Sequence, residues 1–269
     1  EDNADHFTYE VTDANGNTSQ STIYINIVDD VPTAVYDTGD VNEGATLTIP
    51  LVGVLENDTF GADGATLVGF RAAEIDGEPD TTTPVSGNLG TAIDGLYGTL
   101  TLYADGHYSY ASTDDGITSN VDDVFVYTIE DGDGDLSTTT LTISLDDSGL
   151  IASEADEVTV YEKALDQNAL PDGADLAVGT VTGSLPGSAA ETDASQTVAD
   201  NVTGGFGTLS YALVGSAAGT YGTIQINSNG TYTYTMTAPV DGPTANNGIT
   251  IEDNADHFTY EVTDANGNT

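Results

Sequence analysis

Residues 123–147 read DVFVYTIEDGDGDLSTTTLTISLDD. In an extended chain Phe125, Tyr127 and Ile129 fall on one side, with Val124, Val126 and Thr128 on the other, the period of two that a strand imposes. After the small acidic segment Asp131-Gly132-Asp133-Gly134-Asp135 the alternation resumes, placing Leu141, Ile143 and Leu145 on one face. Two alternating runs joined by a few Asp and Gly residues read as an antiparallel pair of strands.

The same pair recurs. ADHFTYEVTDANGNTSQSTIYINIVDD, residues 4–30, aligns with it, and Ile23, Ile25 and Ile27 take the places of Leu141, Ile143 and Leu145. EDNADHFTYEVTDANGNT occurs at residues 1–18 and again, unchanged, at 252–269, so the parent sequence repeats with a period of 251 residues. In the second copy Phe258, Tyr260 and Val262 oppose His257, Thr259 and Glu261, which identifies the aromatic face as the buried one. A diverged match, LYGTLTLYADGHYSY (96–110) against TYGTIQINSNGTYTY (220–234), shows that one period holds two related modules. Residues 1–30 are then the C-terminal strands of a preceding module B, 31–147 a complete module A, and 148–269 a module B that lacks its final strand. Asp105-Gly106 and Asn229-Gly230 between paired runs predict two-residue hairpins. Residues 155–170 are the least strand-like stretch, and helical signal is nearly absent elsewhere. The expected architecture is all-β: tandem Ig-like, cadherin-like antiparallel β-sandwiches in an elongated array.

Composition narrows the function. Of 269 residues 45 are Asp or Glu and two are basic, Arg71 and Lys163, for a formal charge of −43. Nucleic acids, anionic membrane surfaces and phosphorylated substrates are repelled by such a field. There is no cysteine, so disulfides and thiolate metal sites are excluded. No apolar run approaches the roughly 18–20 residues that span a bilayer, and Glu1–Asn3 do not begin a signal peptide. A folded chain this acidic needs another staple, and divalent cations are the obvious one.

VYDTGDVNEGATLTIPLVGVLENDTFGADGATL (35–67), GTLTLYADGHYSY (98–110) and DVFVYTIEDGDGDLSTTTLTISL (123–145) together resemble the VCBS/cadherin-like, bacterial Ig-like repeats. The resemblance covers nearly all of module A. Module B keeps the second half of the pattern and replaces the VLENDT-type segment with a Gly/Ala/Thr-rich stretch. Such repeats form the extender regions of giant RTX-type adhesins in Gram-negative bacteria. The resemblance implies secretion to the bacterial cell surface, calcium rigidification, and a spacer role in fibres that hold distal binding domains away from the cell.

The residues themselves point to calcium as well. Alternate oxygen-bearing side chains separated by small residues let a tight loop turn several oxygens toward one hard cation. Module A offers Asp131, Asp133 and Asp135; module B offers Asp264, Asn266 and Asn268, repeated as Asp13, Asn15 and Asn17. The spacing is not that of an EF-hand, because Leu136 and Thr142 stand where that loop needs Gly and Glu. A plain polar turn explains the same letters without a ligand, yet three aspartates within five residues repel one another unless a cation is present. In an Ig-like sandwich the loop between the last two strands lies at the pole where the chain enters. The Asp131–Asp135 loop is therefore expected near Asp29 and Asp30, and the Asp264–Asn268 loop near Asp146 and Asp147. Asp37 and Asp156 are placed to complete the shells. The reading is several Ca²⁺ ions per chain, at inter-domain joints.

Catalysis has little support: His6, His107 and His257 are isolated, and no G-x-S-x-G elbow or zinc-spaced histidine pair appears. A structural extender leads. The alternative is a carbohydrate- or surface-binding module using the divergent stretch 177–221, in which Tyr108, Tyr110, Tyr232 and Tyr234 would form a sugar-stacking stripe unless they fill the core. Expected partners are neighbouring repeats of the same polypeptide or fibre, with head-to-tail strand exchange between chains if residues 1–30 complete the truncated B module of another copy.

Overall fold

The structure, a computed structural model, describes residues 4–73, 79–113, 115–155, 157–160, 193–238, 240 and 253–269. The chain forms two compact units: Glu1–Asp40 with Leu47–Ala111 and Asp122–Ser144, and Val41–Thr46 with Ser112–Val121 and Leu145–Thr269. Every extended element is a β-strand, and no helix among the described residues is long and apolar enough to cross a membrane.

The first unit begins with a two-stranded ribbon, β1 (Asp5–Thr12) and β2 (Thr18–Ile25), paired from Asp5↔Ile25 to Thr12↔Thr18. Two four-stranded sheets follow. One carries β3 (Asp37–Asn42), β5 (Ala65–Ala72), β9 (Val121–Asp131) and β10 (Leu136–Asp146) in the order β3-β10-β9-β5. The other carries β4 (Thr46–Ile49), β6 (Ala92–Asp94), β7 (Gly98–Leu102) and β8 (Tyr108–Ser112) in the order β4-β8-β7-β6. Their inner faces supply the core: Leu100, Leu102 and Tyr110 from one sheet, Phe70, Phe125, Tyr127, Ile129, Leu141 and Ile143 from the other, all buried. Tyr110 meets Phe125 edge-on, with ring centroids 6.1 Å apart, a favoured aromatic geometry.

The alternation of β9 is less one-sided than its letters imply. Val126 and Thr128, on the face opposite Phe125, are also fully buried. The segment around Val85–Gly87 covers them: the Val85 N–H donates to Thr128 Oγ1 at 2.8 Å, and Gly87 bridges to Gly69. Gly69 sits at a bulge of β5, and a Cβ there would lie 2.5 Å from the Ser86 backbone. Strand alternation records which face meets a sheet, and it is silent about a loop laid over the back.

The second unit contains β11 (Ile151–Ala152) paired with β13 (Val202–Thr203), the sheet β12-β16-β15 (Asp193–Thr197, Thr231–Met236, Gly222–Ile226), and β14 (Ser210–Val214) paired with β17 (Thr259–Thr263). Val198, Tyr211, Tyr232 and Val262 form its core. Tyr234 packs on Phe258 with centroids 6.0 Å apart, as Tyr110 does on Phe125 in the first unit. The same residues in the ribbon find no such cover: Phe7, Tyr9 and Val11 are 57%, 47% and 57% exposed.

The hairpins differ from the two-residue loops expected. Tyr103 N–H bonds His107 C=O and Gly106 N–H bonds Tyr103 C=O, leaving three residues in the loop with Gly106 at φ +85. Asn227, Gly230 and Thr231 repeat the arrangement. Asp-Gly and Asn-Gly serve a three-residue loop as well as a two-residue one, because both need a residue at positive φ.

Candidate cation sites

The five-residue acidic loop occurs three times, at Asp131–Asp135, Asp13–Asn17 and Asp264–Asn268, with two backbone features in common. In each the first N–H bonds the fifth carbonyl, at 3.1, 2.9 and 3.0 Å. In each the fourth residue is a glycine at positive φ: Gly134 +104, Gly16 +88, Gly267 +102. The first aspartate turns one carboxylate oxygen back onto the loop's own amides. Asp131 Oδ1 accepts from Asp135 N–H at 2.7 Å and Gly134 N–H at 3.1 Å; Asp13 Oδ1 accepts from Asn15 and Asn17, both at 2.8 Å.

The second oxygen separates the copies. Asn17 donates its side-chain amide to Asp13 Oδ2 at 2.8 Å, and Asn268 donates to Asp264 Oδ2 at the same 2.8 Å. In the Asp131–Asp135 loop the fifth residue is Asp135, a carboxylate that has no side-chain N–H to give. Asp131 Oδ2 is accordingly buried without any hydrogen-bond partner, on a residue only 9% exposed. A buried carboxylate oxygen left unpaired costs of order 1–3 kcal/mol or more, so the loop is incomplete as it stands.

The same loop carries more negative charge. Asp29, Asp133 and Asp135 each present a carboxylate oxygen, all within 4.8 Å of one another, and this is the one such acidic or imidazole group among the described residues. Asp133 is pushed up to about 6, first by the Asp131 side chain, to which its carboxyl is hydrogen-bonded when protonated, then by desolvation, with the charges of Asp131, Asp29 and Asp63 adding. Asp135 is raised too, by desolvation and then by Asp131 and Asp29. The linker is pinned here: Thr33 and Thr59 exchange both backbone hydrogen bonds, at 2.8 and 2.9 Å, and Ala34 N–H donates to Ser137 Oγ at 2.9 Å. Arg71 cannot neutralise the cluster, for its guanidinium is turned to Asp80 at 3.8 Å.

The remaining sequence-derived residues lie as follows. Asp30 is exposed, and its N–H donates to Asp29 Oδ1 at 3.1 Å. Asp37 does not join the Asp29 group. Its Oδ2 accepts from Tyr127 O–H at 2.8 Å, in a cluster where the Tyr127 oxygen also lies 3.0 Å from Val35 C=O, 3.1 Å from Val54 C=O and 3.3 Å from Asp58 Oδ1. Burial pushes Asp37 up to about 7, with the Asp58 charge adding and the Tyr127 bond opposing. Asp146 and Asp147 turn to Asn120: Asp146 Oδ1 accepts from its amide at 2.7 Å, and Asp147 N–H donates to its oxygen at 3.0 Å. Asp156 lies outside the described residues.

Glu43 and Asp115, which the sequence did not single out, meet the Asp264 loop within the second unit. Glu43 C=O accepts from the side-chain amides of Asn266 at 3.0 Å and Asn268 at 3.3 Å. The Glu43 carboxylate, on a residue 1% exposed, accepts from Ile117 N–H at 2.9 Å and Ser148 N–H at 3.2 Å. Asp115 N–H donates to Asn268 Oδ1 at 3.2 Å, while its carboxylate takes Thr269 N–H at 2.8 Å and Thr269 O–H at 2.7 Å. Gly44, at φ +73, lies so close that a Cβ would stand 2.6 Å from Asn266 C=O. Asp63 was also missed, although the register Ala65↔Asp131 places it beside Gly132. The four strand tyrosines, Tyr108, Tyr110, Tyr232 and Tyr234, are 3%, 0%, 7% and 8% exposed and fill the interiors. Residues 177–192 of the divergent stretch lie outside the described residues.

Among known proteins, residues 29–147 match the family model of the bacterial cadherin-like domain. A comparison with curated proteins finds no match. Solved structures with some likeness include the protocadherin GammaB4 extracellular domain (14% identity, TM-score 0.28, 84% of this chain and 32% of that one). Others are mouse PcdhgC3 EC1-3 (9% identity, TM-score 0.26, 87% and 66%) and human CDH23 EC21-23 (16% identity, TM-score 0.27, 87% and 65%). This chain thus spans about a third of the GammaB4 structure, and TM-scores this low carry no argument about function. The family match and the two-sheet architecture fall on the same segment: residues 29–147 match the bacterial cadherin-like domain and fold as an all-β, Ig-like pair of antiparallel sheets.

Proposed function

We propose that this chain is a non-enzymatic extender from the secreted, extracellular part of a bacterial surface adhesin or fibre, stiffened by calcium. The observation that carries the reading is the buried, unpartnered Asp131 Oδ2 in the same loop as Asp133 and Asp135, whose carboxylates converge with that of Asp29. Four carboxylates with no cationic side chain against them among the described residues suit a hard divalent ion with a preference for six to eight oxygens. Asp29, Asp131, Asp133 and Asp135 would hold it, with Asp63 adding charge from beside Gly132. Calcium would supply the missing counter-charge and tie the linker residue Asp29 to the last hairpin of its module, restraining a joint that is otherwise free to move. Because it binds the folded state alone, it would also stabilise that state.

The partners are taken to be neighbouring repeats of the same kind, in the same polypeptide or fibre. The exposed face of Phe7, Tyr9 and Val11 supports this, because in the identical sequence Phe258 and Tyr260 are half-buried and Val262 is buried, with β17 paired to β14. Strand exchange between chains would cover it in the same way. Small-angle scattering in calcium and in chelator tests the reading. The expected result is a longer maximum dimension and a narrower conformational spread in calcium; identical curves in both buffers would refute rigidification.

A further inference from the structure

We propose that only the module A loop takes the cation, and that the module B loop is closed without metal by its own asparagine amides on Glu43. The inference rests on the calcium reading above and deepens it, since it says which of two homologous loops responds.

The three copies share the first-to-fifth backbone hydrogen bond and a glycine at positive φ, and the fifth side chain of the module A copy differs from that of the other two. Replacing Asp135 by its counterpart Asn268 exchanges a carboxylate oxygen for an amide N–H. In the B loop that N–H sits on Asp264 Oδ2, the atom whose equivalent in the A loop is orphaned. Asn17 makes the same bond in the exposed copy. The closure therefore belongs to the loop and precedes any contact with Glu43.

Burial then seals the second copy. Asn268 is 0% exposed and uses both ends of its amide: Nδ2 to Asp264 Oδ2 and Glu43 C=O, Oδ1 from Asp115 N–H. Asn266 Nδ2 adds a second donor to Glu43 C=O. A cation seated at Asp264 Oδ2 would have to displace two N–H donors, the Asn268 side-chain amide at 2.8 Å and the Phe206 backbone N–H at 2.9 Å, and it would find Asp146 Oδ1 already accepting from Asn120. Along an array of 251-residue period, chelation would release one acidic loop of every two.

The test is a calcium titration of the whole chain, followed by backbone amide NMR and by calorimetric stoichiometry. Gly134 and Asp135 amides should shift and saturate, while Gly267 and Asn268 move less than a tenth as far. In chelator the Asn268 side-chain amide protons should exchange at least tenfold more slowly than those of Asn17, which is exposed. Asn268→Asp should add one calcium per chain. Calcium at both loops in the unmutated chain would overturn the inference and leave the calcium reading standing; calcium at neither would overturn both. Should Asn268→Asp fail to fold, the unmutated titration decides the matter alone.

Discussion

Asp135→Asn gives the module A loop the amide that its two copies already possess, and it should move stability in opposite directions with and without calcium. The variant removes one of the carboxylates crowded around Asp131 and adds a donor aimed at Asp131 Oδ2, where the copies show a 2.8 Å bond. A hydrogen bond to a charged group contributes about 1.5–3 kcal/mol, and the relieved repulsion on Asp133 adds to it. In chelator the first unit should gain about 2 kcal/mol, or roughly 6–10 °C in melting temperature for a domain of this size. In saturating calcium the same change deletes a ligand and should lower the melting temperature relative to the unmutated chain. Differential scanning calorimetry in both buffers reads the two signs, with the transition of the second unit as an internal control. A variant less stable than the parent in chelator would refute the reasoning, because the orphaned oxygen would then not be the fault that calcium corrects.

Two further outcomes follow from buried carboxylates outside the loops. Asp37, at about 7 in the folded chain against 3.8 ordinarily, binds its proton more tightly folded than unfolded. Its contribution is therefore complete below about pH 4 and is lost as pH rises through 7. The loss is up to roughly 4 kcal/mol at about 1.4 kcal/mol per pH unit, and about half that after allowance for solvent reaching the pair. Urea unfolding in chelator should show stability falling from pH 4 to 8, and Asp37→Asn should flatten the profile; an unchanged slope would assign the effect elsewhere. Asp123 is 1% exposed and accepts from Leu96 N–H and Tyr97 N–H at 3.1 Å and from Tyr110 O–H at 2.8 Å. Asp256 repeats the set with Thr220, Tyr221 and Tyr234 in a less buried setting. Asp123→Ala should cost about 3–5 kcal/mol and Asp256→Ala about 1–3 kcal/mol by denaturant titration, and equal costs would mean that burial does not set the difference.

Much of the fold was readable because strand physics is local. Period-two alternation and a repeated Tyr-x-Tyr suffice to pair strands and to assign Tyr110 and Tyr234 to equivalent places. The cover over Val126 and Thr128 was not readable, since nothing in 123–147 reports a segment forty residues upstream. Topology also carried Asp29 to the Asp131–Asp135 loop, because in a sandwich the entry linker and the last hairpin share a pole. Glu43 escaped notice for the opposite reason. It is one acid among 45, and its role depends on its carbonyl, which every residue has, as much as on its carboxylate.

The letters treat Asp and Asn as equivalent oxygen donors, whereas their hydrogen bonds in the Asp131 and Asp264 loops differ. As a calcium ligand an asparagine offers one carbonyl oxygen and no charge; as a neighbour of a buried carboxylate it offers an N–H. In a loop whose first residue already has one oxygen satisfied by backbone amides, the second role competes with the first. The amide at position five meets the remaining oxygen from inside the loop, at no cost in translational entropy and independently of the ion concentration outside. A carboxylate at that position adds charge and leaves the oxygen to a ligand from solution. On the proposal above each loop of this kind would be sorted by its fifth residue, so that in a chain of net charge −43 the count of aspartates would say less about calcium than the few positions where an amide is missing.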